Sequence, residues 1–126
     1  MQSITFNPSS FVIVLDVGLT GSRVGIAKMV LDTGASYLVV RWKLMSAIGI
    51  KIDPQKTVHT TTASSIETVP KVIIPEVIVL GKRVKNVEAI VKDLPPESHV
   101  DGLLGLSFLR NFKLTVDFKK GLLSLE

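Results

Sequence analysis

The sequence contains no cysteine, one tryptophan and one tyrosine among its 126 residues. Without cysteine the chain can form neither a disulfide framework nor a thiolate metal site, and no redox compartment can be inferred from it. The shortage of large aromatic side chains excludes a row of stacking platforms for single-stranded nucleic acid. These absences remove several classes of function before any motif is considered.

Long apolar runs and histidine clusters are also missing. No stretch of about eighteen apolar residues occurs, so we predict no membrane-spanning helix, and residues 1–10 lack the basic and apolar regions of a signal peptide. We therefore expect a cytoplasmic location for the chain as it stands, whether or not it is cut from a longer precursor. The two histidines, His59 and His99, are far apart and show no ligand spacing, so we predict no metal and no cofactor.

Charge and hydropathy narrow the choice of partners. The net charge is +4, but lysine and arginine are scattered, and their local cluster at 82–85 follows a glycine as in a charged hairpin turn. We interpret the basic balance as serving solubility and predict no nucleic-acid partner. The mean hydropathy of +0.42 is high for a monomer of this size, which indicates a subunit interface or an apolar groove.

Short apolar segments separated by turns run through the chain, which has the length of a single domain spanning 1–126. We predict strands at 3–6, 11–19, 23–31, 37–40, 57–62, 66–69, 72–80, 84–91, 112–118 and 122–125. Pro75 places its strand at an edge or a bulge. We also predict a helix at 42–48 stopped by Gly49, and one helical turn at 106–110. The fold class is therefore all-β, a barrel or a sandwich.

The first chemical motif is an apolar run that ends in Asp32, Thr33 and Gly34. A carboxylate that enters from a buried strand is costly unless it has partners or a function. Thr33 offers a hydroxyl to a neighbouring loop, and Gly34 allows a sharp turn and a close backbone approach. An ordinary strand-terminating turn has the same composition, so this motif alone is only suggestive.

The second motif is Leu103-Leu104-Gly105, within the sequence DGLLGLSFL at 101–109. Gly105 has no side chain, so we expect the strand to pass tightly beneath another loop at this point. The alternative is a simple buried strand and turn.

With both motifs in this order, and a threonine-rich hairpin between them, the sequence resembles the retropepsin-like aspartic proteases, from about residue 12 to the end. The resemblance implies a closed β-barrel-like fold with one or two short helices. It also implies an aspartic endopeptidase in which Asp32 is the catalytic aspartate, within the catalytic triplet of Asp32, Thr33 and Gly34. The hairpin at 58–69 would be a flap over the substrate.

The same resemblance implies a polypeptide substrate and a homodimer, because family members of this size carry one such aspartate per subunit. The implied substrate-binding residues are Ala35, Ser36, Thr62, Ala63, Ser64, Ser65, Leu103 and Leu104. Two other acids are alternative partners for Asp32 within one subunit. Asp16 is followed by Val-Gly instead of Thr-Gly, and Asp101 belongs to the supporting motif, so we favour Asp32 of a second copy.

The sequence departs from retroviral members in two respects. Those proteins place a second aspartate shortly after the first motif and an arginine directly after the second, and these charges brace the dimer. Ser36-Tyr37 and Leu106 stand there instead, which favours the cellular and bacterial branch. The flap tip, Ala63-Ser64-Ser65, lacks glycine. Both departures motivate an alternative: a protease-like peptide-binding or dimerisation module with little or no turnover.

Overall fold

Ten β-strands and two short α-helices form the regular structure of residues 2–61 and 63–126, the part of the chain that a computed structural model describes. The strands are β1 (Gln2–Thr5), β2 (Val14–Thr20), β3 (Val24–Leu31), β4 (Leu38–Val40), β5 (Thr57–Thr61), β6 (Ile66–Val79), β7 (Lys82–Val91), β8 (Gly102–Leu104), β9 (Leu114–Asp117) and β10 (Leu122–Leu125). The helices are α1 (Trp42–Ala47) and α2 (Leu106–Leu109), and a 3-10 turn covers Pro96–Ser98.

Six of these strands close into a barrel. They follow one another in the order β2, β3, β8, β4, β7 and β6, and β6 then pairs with β2 through Gly18 opposite Ile78 and Thr20 opposite Glu76. β5 is attached to the outer part of β6 and extends the sheet as a hairpin. The predicted class, an all-β closed barrel with two short helices, is confirmed.

The barrel interior is filled by alternate side chains of the strands. In β2, Leu15, Val17 and Leu19 are buried while Asp16 points to solvent, as the two-residue period of a strand requires. Met29 of β3 and Phe108 of α2 are also fully buried, so the second motif contributes directly to the core.

The two ends of the chain meet in a separate three-stranded sheet of order β1, β10, β9. β10 lies in the middle and pairs antiparallel with both neighbours. Its Leu123 and Leu125 are fully buried and join the barrel core, so the terminal sheet packs against the barrel.

Two predicted strands have different limits. β2 was expected from residue 11, but its ladder with β3 starts at Val14 opposite Val30, and the apolar Phe11 and Val12 before it are exposed. The segments predicted at 66–69 and 72–80 form one strand, β6. One side of this strand pairs with β5 up to Pro70 and with β2 from Glu76. Pro75 lies between these two pairings, so it is at a local edge of the sheet. On the other side of β6, the register with β7 contains no bulge at Pro75.

The predicted helix at 42–48 is confirmed as α1, followed by Gly49 with a left-handed φ of 75°. The predicted helical turn near 106–110 is confirmed as α2. Within the described residues, neither helix has the length and hydropathy to cross a membrane. The cytoplasmic location stays a prediction.

Candidate active site

The loop that carries Asp32 is held by one strand on both sides. β8 pairs in parallel with β3, with Leu31 opposite Leu104, and antiparallel with β4, with Val39 opposite Leu103. The chain therefore leaves β3, forms the loop and returns as β4 across the inserted β8. Both ends of the loop are fixed by backbone hydrogen bonds to the second sequence motif.

Asp32 is half-buried at the start of this loop, and the backbone around it orients its side chain. Its N–H donates to the carbonyl of Leu104 at 3.0 Å. The N–H of Gly34 donates to Oδ1 of its carboxylate at 2.9 Å. A carboxylate that accepts a backbone N–H is restrained in direction, which suits a group that must meet another reactant.

The expected reason for Gly34 is corrected by this geometry. Gly34 is not among the residues with positive φ, and the close atom to a side chain at this position would be Asp32 Oδ1, 3.2 Å from an added Cβ. Gly34 therefore leaves room for the carboxylate, and no close approach of two backbones occurs at this glycine.

The close approach occurs instead at Gly105, as predicted. An added Cβ would lie 2.3 Å from the carbonyl oxygen of Tyr37 and 2.6 Å from that of Ala35. The next N–H, that of Leu106, donates to Ala35 at 2.8 Å. The first turn of α2 thus passes directly under the Asp32 loop.

Ser107 is a second support of this loop that sequence reasoning missed. Its N–H donates to the carbonyl of Ser36 at 3.0 Å. Its hydroxyl donates to the carbonyl of Glu88 at 2.7 Å and accepts the N–H of Leu38 at 3.1 Å. One partly buried hydroxyl therefore connects α2, β7 and the exit of the loop. A serine in SFL carries no sequence signal for this role.

Asp32 opens into a cleft of about 520 Å³ between the loop and the β5–β6 hairpin. The apolar part of its wall includes Val39, Ile90 and Leu103, which belong to a small second hydrophobic cluster. Among the cleft-lining residues of the described chain, Asp32 is the one acid. Polar and apolar side chains share the wall about equally, so the cleft can offer both hydrogen bonds and apolar contact to a ligand.

The β5–β6 hairpin, which the resemblance implies to be a flap, forms one side of the cleft. Its Val58 and Val69 face inward and pack in the second cluster with Tyr37, Leu94 and Leu103. Glu67 of the hairpin is 2.7 Å from Nζ of Lys92, which also lines the cleft. Apolar contacts and this ion pair therefore hold the outer part of the hairpin against the barrel.

A second ion pair lies at the base of the hairpin. Lys71 Nζ is 2.7 Å from Glu88 and 5.4 Å from the ring centroid of Tyr37, a cleft residue. The hydrogen bond to Glu88, aided by the negative charge of that residue, raises the pKa of Lys71 above its ordinary value of 10.5. Lys71 thus stays protonated beside the Tyr37 ring.

The sequence profile of a family described as "Aspartyl protease" matches residues 10–108. The chain belongs to the aspartyl protease family. Among solved structures it is similar to that of a retropepsin-like aspartic protease from Rickettsia conorii, with 26% sequence identity and a TM-score of 0.69. That similarity covers 98% of this chain and 87% of the other. No protein in the curated set matches.

Within this aspartyl protease fold, the predicted site residues lie in several different places. Asp32, Gly34, Ala35, Ser36 and Leu103 line the cleft. Thr33, the residue after Asp32, is exposed and lines a neighbouring groove instead.

Leu104 was expected to contact substrate, but it is fully buried and contributes its carbonyl to the Asp32 N–H. Ala63, Ser64 and Ser65 are exposed at the hairpin tip and are not part of the cleft lining. Thr62 lies outside the described residues.

The two alternative acids are engaged elsewhere. Asp16 pairs with Lys28 on the outer face of the β2–β3 hairpin. Asp101 accepts the N–H of Lys28 at 2.9 Å and pairs with Arg41 at 3.3 Å, so it joins β3 to the start of α1. Neither lines the cleft. Across residues 2–61 and 63–126 there is no cluster of three or more potential metal ligands of the His, Cys, Asp or Glu types.

Sequence reasoning missed several cleft residues, notably Tyr37, His59, Ile90, Lys92 and Leu94. Tyr37 directly precedes β4, the parallel pairing of β4 with β7 brings Ile90 and the following loop next to it, and the pairing of β5 with β6 places His59. Tyr37 could have been found by its position directly after the motif. The others carry no local signal, because their position depends on pairings between distant segments.

Proposed function

We propose that this aspartyl protease family member is an endopeptidase whose active site combines Asp32 from two copies of the chain. The observation that carries the proposal is a single restrained carboxylate at the edge of a peptide-sized cleft with both apolar and polar side chains in its wall. Asp16 and Asp101 are occupied at other sites, so a second copy is the natural source of the second acid.

Two carboxyls in contact cannot both ionise without a large electrostatic cost, so they share one proton and titrate as a pair. One carboxylate then accepts a proton from a water molecule between them, while the protonated carboxyl polarises the scissile carbonyl. Water attacks the carbonyl directly, and no covalent enzyme intermediate forms. The Gly34 N–H keeps the Asp32 carboxylate in the required direction.

The cleft supports an extended peptide as the substrate. The hairpin presents a strand over the cleft, and an extended peptide binds beside such a strand through backbone hydrogen bonds. Val39, Ile90 and Leu103 would receive an apolar side chain of the substrate, and Lys92 lies at the rim with Glu67. We therefore expect cleavage beside apolar residues in unfolded chains.

The direct test is cleavage of an unfolded polypeptide at mildly acidic pH by the wild type, Asp32→Asn and Asp16→Asn. Asp16 is the matched control, since it is an aspartate of the same barrel that does not line the cleft. We expect cleavage by the wild type and Asp16→Asn and none by Asp32→Asn. Equal cleavage by all three would refute the role of Asp32. Peptide binding without cleavage, unchanged in Asp32→Asn, would favour a binding module instead.

A mixing experiment tests whether the two acids come from two chains. When subunits exchange freely, a ninefold excess of Asp32→Asn should reduce the activity of a fixed amount of wild type to about one tenth, because most dimers then contain an inactive partner. An active site contained in one chain would show no such loss. Asp16→Asn added in the same excess should not inhibit.

A further inference from the structure

A cavity of about 550 Å³ lies at the base of the β5–β6 hairpin, between β6 and the loop that joins α1 to β5. We call it the basal groove. Its lining comes from the loop at 50–56, from the first two residues of β5 and from residues 71–73 of β6. It shares no lining residue with the cleft that holds Asp32, so it is a separate site.

One wall of the basal groove is an open edge of β6. On this side, β6 pairs with β5 up to Pro70 and with β2 from Glu76, and the Lys71 N–H donates to the carbonyl of Lys56 at 2.8 Å. Backbone groups two residues further along a strand point the same way, so the N–H and carbonyl of Ile73 face the groove. Across residues 2–61 and 63–126, no hydrogen bond joins them to β5, β2 or the loop. The edge therefore offers one donor and one acceptor to an added strand.

This open edge is short. Pro75 has no N–H to donate, and Val77, two residues beyond it, is already paired with Leu19 of β2. An added segment can therefore pair through about three residues, which is too few to hold a partner by backbone hydrogen bonds alone. Side chains of the basal groove must supply the rest of the binding.

The charged side chains of the groove favour an anion. Lys51 and Lys56 are exposed and form no ion pair in the part of the chain that the structure describes, whereas Lys71 belongs to the pair with β7 described above. Asp53 is turned to its own loop, where its Oδ1 accepts the N–H of Gln55 at 2.9 Å. Three lysines and one aspartate give the lining a net charge of +2. A carboxylate is the complementary group.

Apolar side chains complete the lining. Ile50, Val58 and Val72 contribute to it, and the Ile73 side chain is 56% exposed at the same place. An extended peptide uses all of these features together, because its backbone pairs with the strand edge while its side chains reach pockets on either side. The ligand that fits is a short extended segment in which acidic side chains alternate with apolar ones.

We propose that the basal groove binds a short acidic segment of the polypeptide substrate, which adds as a strand to β6 at a distance from the scissile bond. In this arrangement Lys51 and Lys56 pair with the acidic side chains, and Ile73 exchanges backbone hydrogen bonds with the segment. The inference rests on the proposed function, because it assigns the segment to a substrate.

The position of the groove along β5 identifies the substrate as the source of the segment. Thr57, at the start of β5, lines the basal groove, and Thr61, at its end, lines the cleft. Four residues of strand separate them by about 13 Å. About six extended residues of one polypeptide can span this distance, so a single substrate can occupy both sites.

The first test measures binding without cleavage, in Asp32→Asn. The probe is a short fluorescent peptide in which glutamate alternates with valine, and its control has glutamine in place of glutamate. We expect the double variant Lys51→Glu, Lys56→Glu to weaken binding of the acidic peptide at least about tenfold, since attraction becomes repulsion. The matched control Lys119→Glu, Lys120→Glu reverses two exposed lysines that do not line the groove, and it should bind as before. Equal anisotropy titrations in all three proteins would refute the groove.

Hydrogen exchange tests whether the segment adds to the edge of β6. Saturation with the acidic peptide should slow exchange of the Ile73 amide at least about tenfold, because this N–H gains an acceptor. The glutamine peptide at the same concentration should leave the rate unchanged. An Ile73 amide that exchanges at the same rate while the acidic peptide is bound would overturn the addition of a strand.

Cleavage kinetics separate this inference from the proposed function. Two unfolded substrates share one apolar cleavage sequence, and one of them carries the acidic segment on both sides, about six residues from the scissile bond. The wild type should show a KM at least about tenfold lower for the acidic substrate with the same kcat, because the remote contact is made equally in the ground and transition states. Lys51→Glu, Lys56→Glu should treat both substrates alike, and circular dichroism confirms that it is folded.

Each outcome decides one of the two proposals. Cleavage of both substrates by the wild type with equal KM would refute the role of the basal groove and leave the Asp32 dyad intact. Cleavage of neither would refute the proposed function, and with it the assignment of the segment to a substrate. The anisotropy titration would then still decide whether the groove binds an acidic peptide.

Discussion

Replacement of Gly105 by alanine tests the packing of α2 beneath the Asp32 loop. The added Cβ would stand 2.3 Å from the Tyr37 carbonyl oxygen and 2.6 Å from that of Ala35. Gly105 has a φ of −104° and a ψ of −169°, which alanine adopts readily. The substitution is therefore a steric perturbation, without backbone strain from a left-handed conformation.

The expected magnitude follows from the contacts. The Tyr37 carbonyl must retreat by about 0.7 Å to reach 3.0 Å from the new Cβ, and overpacking of this kind costs about 1–3 kcal/mol. The movement also stretches the hydrogen bond from Leu106 to Ala35, now 2.8 Å, which is worth about 1 kcal/mol. We expect Gly105→Ala to lower the free energy of unfolding by about 2–4 kcal/mol.

Urea denaturation followed by circular dichroism measures this free energy. Gly18→Ala is the control, because its added Cβ would lie 3.7 Å from Ile78, an ordinary van der Waals distance. Gly18→Ala should be neutral or slightly stabilising, by up to about 1 kcal/mol. Under the proposed function, peptide cleavage should also fall by about a hundredfold in folded Gly105→Ala, since a displacement near 1 Å misplaces Asp32.

A Gly105→Ala protein within about 0.5 kcal/mol of the wild type would refute the reasoning, since it would mean that the loop moves freely over α2. Full activity in such a protein would show in addition that the position of Asp32 does not depend on this contact.

Three further predictions concern other supports of the site. Asp101→Ala should lower the free energy of unfolding, measured in urea, by about 1–2 kcal/mol, because the N–H of Lys28 loses its acceptor. The control Asp16→Ala should change this free energy by less than about 0.5 kcal/mol, since the ion pair of Asp16 is exposed. Ser107→Ala should lower it by about 1–3 kcal/mol because it removes the hydroxyl that bonds the Leu38 N–H and the Glu88 carbonyl, and an unchanged urea midpoint would contradict this role. Because the pKa of Lys71 is raised in the folded state, its pairing with Glu88 stabilises the fold fully below pH 10.5, and this stabilisation is lost as the pH rises through the raised pKa. The melting temperatures of the wild type and Lys71→Met should therefore converge as the pH is raised from about 9 to about 12.

Local sequence features were enough to predict most of the elements. The strands β3 and β10 and the stop of α1 at Gly49 depend on neighbouring residues and appear close to the predicted limits. The same holds for the close packing at Gly105, because a glycine within an apolar strand has few other uses. Each of these features is determined by residues that lie within a few positions of it in the sequence.

Features that depend on distant pairing were not predictable. Nothing near Gly102 indicates that β8 lies between β3 and β4, and nothing near Lys92 indicates a place at the cleft. Phe11 appeared to belong to a strand because apolar residues surround it, but no partner strand reaches it. Burial and pairing are set by the whole barrel, so a local pattern cannot determine which apolar residue is left at the surface.

The insertion of β8 between β3 and β4 has a consequence for folding on the ribosome. Leu31 and its partner Leu104 are roughly seventy residues apart, and contacts of such long range form late and slowly. While the last part of the chain is still being synthesised, the Asp32 loop has no strand between its two ends. Under the proposed function, a nascent chain or one truncated before β8 would be unable to assemble a working centre, and hydrolysis would begin only after residues 102–104 had been made and had paired with β3.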